Sequence, residues 1–281
     1  MAPHSAPGLQ ATWLNGWLAA IGITALVDSA RLSWTDDPIP SAIVAIPDDD
    51  LAEAVYHSLP DEPSLQRLAI AREHHAAAEL KRNVTLEAYH SRVDIERANP
   101  NPSLAVTLTD LARPDKNDLV PHSPFDVPVP KGLTLWQRVL SCRQHITDSD
   151  DVAASLAGNG RRVKLNGLGF DIRRLASRAD SSDKHADPVV ELLAFHALPL
   201  FPIRGDGRTA TTRGWTAPPS RPRAFQWATW RAELDRWGID AWLDRFYAGV
   251  ERDVTARFAT IPYRPSGSAD TTRAYATETL T

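Results

Sequence analysis

Prolines divide this chain more firmly than any other feature. Most of the 22 fall in three runs, Pro38 to Pro63, Pro100 to Pro130 and Pro199 to Pro222. Each proline lacks a backbone N–H and clashes with a preceding helical turn, so regular elements must stop there and irregular connections must fill the gaps. With 281 residues and 43% hydrophobic content, the segments between these runs can still build one large core or two small ones.

Those segments have readable periods. Trp13, Leu14, Trp17, Leu18, Ile21 and Leu26 recur at three- and four-residue spacing, which predicts a helix packed on one side with Gly16 and Gly22 as its small contacts. Residues 1–10 ahead of it are polar and Pro-containing and are expected to fray. Residues 31–34 and 42–46, joined by the Asp36-Asp37-Pro38 turn, read as a hairpin. The Asp48-Asp49-Asp50 run suits the positive end of a helix over 48–59.

Further helices are expected over Ser64 to Arg82, Thr85 to Asn99, Leu133 to His145, Val189 to the residues before Pro199, and Trp237 to Phe258. A short element is expected at Leu104 to Ala112, a short strand within Gly158 to Gly169, and a strand over Phe225 to Trp230. The tail from Ser266 reads as mobile. The class is therefore α+β, helix-rich with short antiparallel strands and long Pro-rich loops.

Charge is distributed unevenly. Residues 158–231 hold thirteen Lys and Arg against six Asp and Glu, whereas residues 1–157 hold twelve against twenty-one. This divides the chain into an acidic part at 1–157, a basic part at 158–265 and the tail at 266–281, whether as separate units or as one compact domain. A basic stretch within a mildly acidic chain suits contact with a polyanion by one face.

Two clusters supply that face. Arg161, Arg162, Lys164, Arg173, Arg174 and Arg178 surround the glycine turn at 166–170, where backbone N–H groups could approach phosphates while the cations neutralise them. Arg204, Arg208, Arg213, Arg221 and Arg223 are interleaved with Trp215, Phe225, Trp227 and Trp230, the ingredients of a groove for single-stranded nucleic acid. Trp227 and Trp230 sit in an ordered strand and read as core. Trp215, between Gly214 and the Pro218-Pro219 pair, reads as an exposed ring.

Other chemistries find little support. Cys142 is the lone cysteine, so no internal disulfide or cysteine zinc site is expected, and a cytoplasmic location follows. His74 and His75 are adjacent rather than four apart and point to different sides of a helix, so no metal is expected. Neither a Gly-x-Ser-x-Gly elbow nor a Walker pattern occurs, and no catalytic residue and no cofactor is assigned. Residues 17–27 have the length of a signal-peptide core, but no Lys or Arg precedes them and Asp28 closes them, and they fall short of the roughly 20 apolar residues that span a bilayer, so neither leader nor membrane anchor is expected. Two alternatives stay open: a metal-dependent nuclease or phosphoesterase built from Asp36, Asp37 or Asp48 to Asp50, and a scaffold that docks an acidic partner.

Three stretches together carry a resemblance: Leu14 to Leu26 (LNGWLAAIGITAL) with Ala30 to Trp34 (ARLSW), Asn166 to Leu175 (NGLGFDIRRL), and Leu193 to Arg204 (LAFHALPLFPIR). Their order resembles the Cas8-like large-subunit family of type I-G (formerly I-U) CRISPR effector complexes. The resemblance implies a non-catalytic subunit that contacts guide RNA and/or target DNA beside other effector-complex subunits in antiviral defence.

Overall fold

The computed structural model describes residues 1–63, 65, 84–87, 119–120, 125, 135–165, 167–168, 185–201, 203–205, 210–216, 224–263 and 274–280. Its first element is a strand where fraying was expected. β1 (Ala2–Gln10) pairs antiparallel with the third strand, from Ala2 opposite Ile46 to Ala6 opposite Ala42, and shifts register before Gln10 meets Ser41. Pro3 and Pro7 are tolerated because β1 is an edge strand, where alternate N–H groups have no neighbour to bond. Ala6, Gly8 and Leu9 turn inward and are buried.

α1 (Leu14–Leu26) follows and is buried from Leu14 to Thr24, all round rather than along the one stripe expected. It carries no charged residue, which is what a helix enclosed on every side requires. β2 (Arg31–Trp34) and β3 (Ser41–Ile46) form the expected hairpin and complete a sheet of order β1-β3-β2. α2 (Leu51–Ser58) starts at Asp50, whose carboxylate accepts from the Glu53 N–H at 3.1 Å.

The expected helix at 64–82 and the element at 104–112 lie outside the described residues. Within 85–99 only the start is described: β4 (Val84–Thr85) pairs with β5 (Leu119–Val120). α3 (Leu135–Arg143) matches the expected helix there. α4 (Ser149–Leu156) was not foreseen; Asp148 caps it by accepting from the Asp151 N–H at 3.1 Å.

β6 (Val163–Lys164) pairs with β7 (His185–Ala186), and α5 (Pro188–His196) begins immediately after. Asp187 caps α5 by accepting from the N–H groups of Val189 and Val190, with Pro188 at the first helical position, where its missing N–H has no helical partner to lose. β8 (Ile203–Gly205) pairs with β9 (Ala210–Thr212). The last sheet has the order β10-β11-β12-β13, from β10 (Trp215–Thr216), β11 (Ala224–Thr229), β12 (Ala256–Tyr263) and β13 (Ala274–Leu280).

Two expectations fail in this last region. α6 (Arg236–Tyr247) stops eleven residues short of Phe258. Gly249, at φ 74°, takes the left-handed conformation that ends a helix, and Phe258 lies in β12. The tail expected to be mobile includes β13, paired with β12 over its whole length.

Tryptophan side chains join the two ends of the chain. Trp17 of α1 donates its indole N–H to Ala228 O at 2.9 Å, Trp227 donates to Ala11 O at 2.7 Å, and Trp230 donates to Leu32 O at 3.0 Å. Leu32 and Leu234 exchange both backbone bonds at 2.8 and 3.0 Å. The fold is α+β, and residues of the acidic first part and the basic second part enter one hydrophobic core. Among the described residues no helix is long and apolar enough to cross a membrane.

α1 packs most extensively on α5, which is itself buried throughout. Burial holds the imidazole of His196, at the end of α5, down to about 3, so it sits in the core uncharged. The contact between the helices is so close that a Cβ on Gly22 would stand 1.8 Å from Leu193 O. Backbone cannot yield as a flexible side chain does. Gly22→Ala is therefore expected to destabilise the fold by about 1–3 kcal/mol or more, read as a lower urea midpoint, despite the gain in helix propensity.

Candidate nucleic-acid interface

The first basic cluster stands on a loop fixed from below. α4 ends at Gly158, whose φ of 88° favours glycine, and the Asn159 N–H closes the turn on Ala154 O at 2.8 Å. Two residues on, a Cβ at Gly160 would stand 1.9 Å from Asp187 Oδ2 and 2.4 Å from Ser155 Oγ, so only glycine allows this approach. Ser155 and Asp187 are both buried, and the Ser155 hydroxyl donates to Asp187 Oδ1 at 2.9 Å. The loop thus leaves the α5 cap at a set height and runs into β6.

On that loop Arg161 and Lys164 are exposed and Arg162 is half-buried. Arg161 Nη2 donates to His145 O at 3.1 Å, and Arg162 Nη2 donates to His185 O at 2.5 Å. A carbonyl orients a guanidinium without cancelling its charge. Arg161 also bears on Asp151: burial works to raise that carboxyl, but hydrogen bonds from Thr147 and the Arg161 charge hold it below its ordinary value.

The glycine turn is used otherwise than expected. Gly167 has φ 51°, and the Leu168 N–H donates to Glu191 Oε2 at 2.5 Å. Asn15 Nδ2 donates to Glu191 Oε1 at 3.3 Å, and Arg138 Nη1 donates to Gly167 O at 3.0 Å. Glu191, Asn15 and Arg138 are all buried. The described part of the turn therefore docks on a carboxylate of its own chain, in the place where a phosphate was expected. Cys142 lies nearby; burial first, then the charges of Glu191 and Asp187, push its thiol well above the ordinary range against the opposing pull of Arg138.

The second cluster is corrected at Arg213 and Trp215. The Arg213 side chain is only 4% exposed, with Nη1 donating to Asp240 Oδ1 at 2.6 Å and Nη2 to Asp244 Oδ1 at 2.7 Å. It clamps the β9–β10 turn to α6 and is not presented to a phosphate. Trp215 is half-buried against the core, its ring 5.5 Å from Phe125 and 5.6 Å from Phe225, and is not the exposed ring expected. Trp227 and Trp230 are core, as expected. Arg204 falls in β8 with its side chain outside the description, and Arg173, Arg174, Arg178, Arg208, Arg221 and Arg223 lie outside the described residues altogether.

Among the described residues the exposed large aromatic is Trp237, 72% accessible at the start of α6, with the Arg236 guanidinium 5.4 Å from its ring centre. Sequence reasoning passed over it because it begins an apolar helix pattern. It also passed over Ser155, Asp187 and Glu191, which bond to one another or to Leu168 across 23 or more residues. Only the Asp187-Pro188 step ahead of an apolar run carried a local signal, that of a capped helix start.

The acidic residues proposed for a nuclease have other roles where bonds define them. Asp36 accepts from Arg231 Nε at 2.9 Å, and Asp50 caps α2. Among the described residues no three His, Cys, Asp or Glu side chains are placed to hold a metal ion, and His74 and His75 lie outside them. Compared with protein-family models, with curated proteins and with solved structures, the chain matches none.

The two arginine environments separate experimentally. Arg213→Ala leaves Asp240 and Asp244 without their shared cation and is expected to cost about 1–3 kcal/mol of stability in urea unfolding. Arg161→Ala, at an exposed site, is expected to stay within about 0.5 kcal/mol of the parent.

Proposed function

We propose that this chain is a cytoplasmic, non-catalytic nucleic-acid-binding subunit of a type I CRISPR effector complex, contacting guide RNA and/or target DNA. The observation that carries this reading is the loop bearing Arg161, Arg162 and Lys164, pinned at Gly160 onto the buried Ser155–Asp187 pair, with two guanidiniums steered by backbone carbonyls. Arg161 has five N–H donors and a permanent charge, so its contact with the His145 carbonyl leaves it competent to bind a phosphate. The cations neutralise backbone charge, and sequence is read by guide pairing. The resemblance of the three stretches at 14–34, 166–175 and 193–204 supports the assignment to an effector complex.

A contact with a neighbouring subunit is favoured by Trp237. An exposed tryptophan beside an arginine joins two of the residue types that dominate binding energy at protein interfaces.

The test is the salt dependence of binding to a labelled single-stranded oligonucleotide. Affinity should fall steeply as salt rises, and Arg161→Glu with Lys164→Glu should weaken it for every base sequence. Each lost phosphate contact should lower the log–log salt slope by about 0.7 for a single strand. Unchanged affinity and slope in the double variant would return these residues to ordinary surface.

A further inference from the structure

We infer that the outer edge of β13 pairs with the same edge of a second copy of this chain, joining two four-stranded sheets across a two-fold axis. β13 ends the order β10-β11-β12-β13, and among the described residues no strand lies beyond it. Its sequence, AYATETL, contains neither proline nor lysine, and no bulge interrupts its register with β12. Those are devices by which proteins blunt an open edge. β1, at the edge of the first sheet, does carry them, in Pro3, Pro7 and the register shift before Gln10. The pairing is independent of any nucleic-acid contact.

Backbone direction fixes which groups β13 offers. In an antiparallel ladder, successive residues turn their N–H and C=O to opposite neighbours. In β11 the Gln226 N–H donates to Gly214 O, on the β10 side, at 3.0 Å, and the Phe225 N–H donates to Thr260 Oγ1, on the β12 side, at 2.9 Å. Trp227 is therefore directed to β12, where it stands opposite Phe258, and the next residue, Ala259, is directed to β13, opposite Glu278. Pro262 falls on the side away from β13, where its missing N–H costs that pairing nothing. Ala276 and Glu278 thus direct their backbone groups to β12, and Tyr275, Thr277 and Thr279 direct theirs outward.

These positions are self-complementary. An axis through Thr277 sets Thr277 opposite its own copy and Tyr275 opposite Thr279, so each outward N–H and C=O at these positions gains a partner. Glu278, the one charged residue of β13, then stands opposite Ala276. An axis at residue 278 would leave Tyr275 without a partner in β13 and set Glu278 against Glu278, where like charges destabilise. An axis at residue 276 would leave Thr279 without one. A single register is therefore favoured, and it is a register between identical strands.

Sedimentation equilibrium of the full chain up to about 100 μM should show a mass that rises with concentration toward twice that of the chain, because a contact between two short strands lies at the weak end of interfaces. Thr277→Pro removes an N–H that β12 does not use, so it should abolish the dimer while the far-UV circular dichroism stays that of the parent. Thr277→Lys and Thr277→Glu each set like charges across the axis and should each weaken association about fivefold, whereas an equal mixture of the two should recover it. Residue-resolved amide exchange gives a readout without substitution: the Thr277 and Thr279 amides should exchange fast in dilute solution and slow as the dimer forms, while Glu278 stays slow throughout. A chain that keeps its own mass over the whole range overturns the inference, as does a dimer that Thr277→Lys and Thr277→Glu leave unchanged. Slow exchange of Thr277 and Thr279 in the monomer would overturn it too, since the edge would then be covered within one copy.

Discussion

The contact on which the rest depends is the close approach of α1 to α5. With no side chain at Gly22, the helix backbones meet at the Leu193 carbonyl, and both helices can be apolar on every side because each is enclosed. Two buried helices bring their backbone polar groups with them already satisfied, so enclosing them costs little in unmade hydrogen bonds. Two of their polar exceptions are paired: Asn15 of α1 and Glu191 of α5 bond to each other, and Glu191 holds the turn at 167–168. The tryptophans extend this arrangement outward, since the indole N–H groups of Trp17, Trp227 and Trp230 each find a carbonyl from the far end of the chain.

The candidate site follows from this packing. Asp187 caps the N-terminus of α5 with one oxygen and takes the Ser155 hydroxyl of α4 on the same atom. The loop from α4 to β6 closes over that pair at Gly160 and rises to the surface with its cations. A fixed loop loses less freedom on binding than a mobile one, and less of the gross interaction is then spent on ordering. The structure thus divides the basic residues by role: Arg138 and Arg213 are internal clamps, while Arg161 and Lys164 face outward.

What was legible in the sequence was local. The hairpin at 31–46, the Asp50 cap, α3, α5 and β11 each follow from a period or a start signal within a few residues. β1 was missed because Pro3 and Pro7 read as breakers, and only its place at a sheet edge makes them harmless. The end of α6 was missed because apolar residues continue at helical spacing past Tyr247, although Gly249 was a stop signal. Arg213 and Trp215 could not be assigned from sequence: their partners Asp240, Asp244 and Phe125 are brought to them by the fold. A basic residue near an aromatic one has the same local sequence whether it faces a ligand or its own chain.

The central claim, that the outward cations at 158–164 form the nucleic-acid face of an otherwise rigid core, is tested most directly by amide hydrogen exchange with and without a single-stranded oligonucleotide. The account predicts slower exchange across 158–164 on binding, with α1 and α5 unchanged because their amides are already protected by burial. Protection confined to the Trp237 end of α6, or absent from 158–164 under conditions where the oligonucleotide is bound, would contradict it.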